Sequence, residues 1–68
     1  MKGFVKFYDD KKKFFGFITS DLDGREFYFN NTDTLNPVMT GDRVSFEGTE
    51  NMKGYRAKKI QKIPKDDS

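Results

Sequence analysis

The sequence predicts an all-β fold, a five-stranded Greek-key barrel, and three observations carry that reading. Short runs of β-type alternation recur along the chain, and turn residues separate them at close intervals. No stretch places apolar residues at the i, i+3, i+4 and i+7 positions of a buried helix face. At 68 residues the chain has room for one domain, near the lower limit for folding without staples.

The strands are expected in order at Lys2–Tyr8, Phe14–Asp21, Glu26–Asn30, Asp42–Thr49 and Tyr55–Lys62. A charged loop, Asp9 to Lys13, joins the first two, and Asp23-Gly24 is a strong hairpin signal between the second and third. Asn36-Pro37 breaks the chain before the fourth, and Gly48 to Gly54 brackets the last connection. The domain is expected over 1–63, with a short frayed tail at 64–68. Five short strands with a longer connection after the third match a partly open barrel of the OB type.

Alternation assigns the faces. Glu26 and Asn30 would be costly to bury, so Phe27 and Phe29 are the inward pair of the third strand and Tyr28 faces out. In the second strand Phe15, Phe17 and Thr19 share one side, and Phe14, Gly16 and Ile18 share the other. Val5, Ile18, Val44, Phe46, Ala57 and Ile60 complete the expected core. Phe15, Phe17 and Tyr28 are then left as outward aromatics on neighbouring strands. Gly16 between the two phenylalanines is expected to let the backbone approach its neighbour closely.

Composition narrows the chemistry. There is no Cys and no His, so neither a disulfide nor a zinc site is available, and no metal or cofactor is implied. The hydroxyl residues lack an activating base, and no phosphate-cradling glycine loop is present. Asp9-Asp10 and Asp21 with Asp23 sit at turns; Asp21-Leu22-Asp23-Gly24 lacks the remaining ligands of a calcium loop. Neither an enzymatic activity nor a small-molecule substrate is therefore expected. No apolar run approaches the roughly 20 residues of a membrane span, and the start Met1-Lys2-Gly3-Phe4 is too polar for a signal peptide. A monomer of the cytoplasm with no membrane partner is expected.

Eight Phe and three Tyr supply most of the hydrophobic bulk, and nine of these eleven lie between Phe4 and Phe29. Net charge is only +2, but residues 1–20 carry +3, residues 21–50 carry −5 and residues 51–68 carry +4. The two basic segments meet if the first and last strands lie together. Lys6, Lys11, Lys12 and Lys13, with Lys58 and Lys59 as further candidates, flank the outward aromatics. Flat π surfaces spaced for successive bases, with ammonium groups for the phosphates, are what a binder of single strands requires. The alternative is a protein-interaction module that uses the same aromatic face as an interface.

The run Gly3-Phe4-Val5-Lys6-Phe7-Tyr8 followed by Lys13-Phe14-Phe15-Gly16-Phe17-Ile18 resembles the opening of the cold-shock domain, G-x-V-K-W-F and K-G-F-G-F-I. Glu26-Phe27-Tyr28-Phe29-Asn30 resembles its second motif, D-V-F-V-H. Gly41-Asp42-Arg43-Val44-Ser45-Phe46-Glu47 is similar to its G-x-x-V-x-F-E strand, and Gly54 to Ile60 to its closing G-P-x-A-x-x-V. The pieces occur in order across all five strands. The resemblance implies a barrel that binds single-stranded RNA or DNA, loosens RNA secondary structure, and acts as an RNA chaperone or regulator of transcription or translation. It assigns ligand contact to Lys6, Phe7, Lys13, Phe15 and Phe17, with Tyr28 in place of the family's Phe and Asn30 in place of its His.

The sequence also departs from the pattern. Phe7 replaces Trp, which shrinks a stacking face, and Phe14 stands where the family has Gly. An extra residue lies in the loop before Lys13, and the stretch after Asn30 is shorter, with no counterpart to the family's loop aromatic. A different local backbone around Phe14 and weaker affinity or a shifted base preference are expected. The family also places Val5 and Phe7 on opposite faces, which simple alternation does not, so a bend near Lys6 is expected.

Overall fold

The structure is a computed structural model and describes residues 1–9 and 11–64. Of the expected tail, Lys65 to Ser68 lie outside the described residues. Five strands form: β1 (Lys2–Tyr8), β2 (Phe15–Ser20), β3 (Glu26–Asn30), β4 (Arg43–Asn51) and β5 (Gly54–Lys62). A 3-10 turn, η1 (Asn31–Asp33), follows β3. Among the described residues no helix is long and apolar enough to cross a membrane.

The strands close a barrel in the order β1-β2-β3-β5-β4, with β1 returning to β4 through Lys2–Ser45 and Phe4–Arg43 pairing. The ring is therefore closed where a partly open barrel was expected. Its thinnest seam is the parallel contact of β3 with β5, where Tyr28 pairs Arg56 and Thr34 bridges to Ile60 just beyond. The first and last strands do not lie together, because β4 stands between them. The basic C-terminal strand reaches the aromatic face from its other side, through β3.

All eight expected core residues are buried: Val5, Ile18, Phe27, Phe29, Val44, Phe46, Ala57 and Ile60. Val38, in the connection after Asn36-Pro37, joins them. Tyr8 stacks on Phe29 at 5.4 Å and Tyr55 packs on Phe27 at 5.4 Å, partly covering the core. Where the second and third strands meet, Gly24 takes φ +74°, while Asp23 accepts the amide of Arg25 at 3.1 Å. That conformation is open to glycine without steric cost.

Two bulges set the faces. On β1 the register shifts between Val5 and Phe7, leaving Lys6 as the extra residue. Val5 is thereby buried while Phe7 turns outward, as the bend near Lys6 requires. On β5 the register shifts opposite Ser45 and Glu47, and Lys59 takes φ +51°. This extra residue explains how Ala57 and Ile60, three apart, both point inward.

Phe14 departs from its expected place. Read as part of the second strand, it would face inward with Gly16 and Ile18. It lies instead just before β2, at φ +54° and 39% exposed. The left-handed backbone takes it out of the strand's alternation.

Candidate nucleic-acid interface

The outward faces of β1, β2 and β3 carry one continuous group of aromatic rings. Phe17 pairs Tyr28 directly across the β2–β3 ladder, and Phe7 pairs Phe17 across β1–β2. The ring centroids follow suit: Phe7 to Phe15 5.9 Å, Phe15 to Phe17 6.0 Å, Phe17 to Tyr28 6.0 Å and Phe15 to Tyr28 6.2 Å. Phe15 and Tyr28 are nearly parallel, with 23° between their planes, whereas Phe17 stands edge-on to both. Phe7 and Tyr28 are exposed and Phe15 and Phe17 half-buried, so every ring of the group presents area to solvent.

Gly16 lets this face form. A Cβ there would collide with the carbonyl oxygen of Phe7 and lie 2.9 Å from the Phe29 ring. The missing side chain thus allows β1 and β2 to close over the core, with Phe15 and Phe17 on the opposite side.

The cations differ in their commitments. Lys6, carried outward on the β1 bulge, donates to Glu26 at 2.9 Å, a pair exposed on both sides. Such a surface pair contributes at most about 1 kcal/mol, so a phosphate can displace Glu26. Lys11, Lys12 and Lys13 are exposed in the turn before Phe14, and none of them has an ion-pair partner among the described residues. Asp9 organises that turn by accepting the amides of Lys11 at 3.0 Å and Lys12 at 3.3 Å. Those amide bonds, with the charge of Lys13, hold its carboxyl below the ordinary carboxylate range. Lys59 is paired with Glu47 at 3.6 Å on the β4 side, whereas Lys58 remains exposed on β5, two residues along from Arg56.

Asn30 is differently occupied. Its side-chain oxygen caps η1, accepting the amide of Thr32 at 2.9 Å, while its own amide donates to Asp33 at 3.1 Å. This reciprocal capping box orients the side chain toward the turn. Asn30 still pairs Phe15 across the ladder, at the edge of the aromatic group.

Arg56 belongs to the site although composition and spacing did not single it out. It sits beside Tyr28 on β5 with its guanidinium carbon 5.4 Å from the ring centroid, and it donates to buried Asp33 at 3.0 Å. Asp33 holds the guanidinium at the rim, where it backs the Tyr28 ring. The signal that would have found it is the parallel β3–β5 pairing, which joins residues 28 positions apart in the chain.

The arrangement offers π surfaces flanked by cations. Among the described residues no group of His, Cys, Asp or Glu could hold a metal ion. No protein-family model matches the chain. A curated relative, described as "Cold shock-like protein CspA" of Stigmatella aurantiaca, is 36% identical over 66 residues, spanning 91% of this chain and 96% of the relative.

Proposed function

The chain belongs to the cold-shock protein family, and from that premise we propose that it binds single-stranded RNA or DNA on the β1–β2–β3 face without catalysing a reaction. The observation that carries this reading is the contiguous, solvent-facing group of Phe7, Phe15, Phe17 and Tyr28. Each base has a π face that such rings can stack against, at about 1–3 kcal/mol per base. Lys6, Lys13 and Arg56 surround the group and meet the phosphates, and Asn30 contributes at its edge through its fixed position opposite Phe15. One chain supplies every residue named, so a monomer suffices. Binding that holds bases splayed apart competes with RNA pairing, which is the physical basis for an RNA-chaperone role and for control of transcription or translation.

The test is fluorescence anisotropy with a labelled oligonucleotide, single-stranded and then annealed to its complement. Rings on a strand face need unstacked bases, and among the described residues no α-helix is available to enter a major groove. Single strands should bind far more tightly than the duplex. Equal affinity for both overturns the reading.

A further inference from the structure

Phe14 combines three features that the fold does not explain. Its backbone is left-handed at φ +54°, a conformation that is unfavourable for a bulky residue and free for glycine. The residue is 39% exposed, which leaves it open to a ligand. Among the described residues its ring meets no other ring, although four aromatics crowd the adjacent face. The strained position is also tightly held. The Phe14 carbonyl accepts the amide of Asn31 at 2.9 Å, and the next carbonyl, of Phe15, accepts that of Asp9 at 2.9 Å. A strained residue held by its backbone and open to solvent is of the kind found at ligand clamps.

We propose that Phe14 is an additional stacking position, taking the base that follows the Tyr28–Phe17–Phe15 group at the β2 entrance. The occupant is a nucleobase of a single strand, and the inference rests on the function proposed above. Charge and continuity both favour that occupant. Lys11, Lys12 and Lys13 lie immediately before Phe14 without ion-pair partners among the described residues, so phosphates entering here meet three consecutive exposed lysines. On the other side Phe14 adjoins Phe15, the first ring of the shared face, and through its carbonyl it touches the segment just after Asn30.

The chain contains no Trp, which gives a direct test. Phe14→Trp introduces a lone indole whose emission should be strongly quenched when oligothymidine binds, while a labelled oligonucleotide reports binding independently. Phe14→Gly should melt at the same or a higher temperature, because strain is relieved, yet bind on the order of tenfold more weakly. Phe14→Leu keeps bulk without a π face and should weaken binding similarly, which covers the case of a glycine variant that does not fold. Unquenched F14W emission with binding intact, or unchanged affinity in F14L, overturns the Phe14 site and leaves the proposed function standing. Failure of the unsubstituted chain to bind any single strand overturns both.

Discussion

A phenylalanine can serve either the core or the ligand, and in this chain the two roles sit on neighbouring residues. Phe27 is 4% and Phe29 0% exposed, whereas Tyr28 between them is 36% exposed. Truncating Phe27 or Phe29 to Ala should cost about 3–5 kcal/mol, enough to unfold so small a domain. Phe17→Ala and Tyr28→Ala should cost the fold much less but weaken binding by about 1–3 kcal/mol each. Oligonucleotide affinity and the thermal midpoint, measured on each variant, separate the roles. If F17A melts the protein while F27A only abolishes binding, the faces have been assigned the wrong way round. Asn30 makes a different expectation, because its oxygen caps η1. Asn30→Ala should lower stability by about 1 kcal/mol, as loss of a cap does, and a stability unchanged by denaturant titration would show the cap to be idle.

At the scale of elements, the loops and seams decide what the strands can present. The Asp9 turn is held by carboxylate–amide bonds, and its carboxyl titrates below the ordinary range. A depressed folded value means that the turn's contribution is fully present above the unfolded carboxylate pKa. It is lost as pH falls through the lower folded value. The Lys11 and Lys12 amides should therefore keep their hydrogen-exchange protection near neutrality and lose it only in acid, below about pH 4; loss of protection at pH 6 would point to another cause. This scale also shows what was legible in the sequence. The strands of the second and third runs were readable because Glu26 and Asn30 resist burial and so fix the phase of the alternation. The outward turn of Phe7 was readable only through the family resemblance, since a bulge is defined by a partner strand. The Lys59 bulge, the buried Val38 and the place of Arg56 against Tyr28 depend on which strands adjoin, and no local pattern encodes that. Alternation sets Phe14 on the side of Gly16 and Ile18 because it assumes an extended backbone, which its positive φ breaks.

Over the whole molecule, charge is arranged so that the aromatic face is cationic while the net charge stays at +2. With no His in the chain, nothing on that face changes charge near neutrality, so affinity should be flat between about pH 6 and 8. A sharp loss across that range would mean that other groups touch the ligand. Salt tests the same arrangement more directly. Arg25, Arg43 and Lys62 are spent on Asp23, Asp21 and Asp42, and Lys59 faces Glu47. Lys6 and Arg56 are on the face but shared with Glu26 and Asp33. Lys2, Lys11, Lys12, Lys13, Lys53 and Lys58 have no ion-pair partners among the described residues. Of these, Lys11, Lys12, Lys13 and Lys58 adjoin Phe14 or Arg56 in the chain and, with partial exchange at Lys6, give about three to five phosphate contacts. Each contact on a single strand releases roughly 0.7 counterion, so log affinity against log salt should slope at about −2 to −4. Lys13→Ala should flatten that slope by about 0.7, whereas Lys59→Ala, whose ammonium is already paired with Glu47, should leave it unchanged. A slope near zero would favour a hydrophobic protein interface on the same rings. Equal effects of the two lysine substitutions would show that total charge, not the face, governs binding.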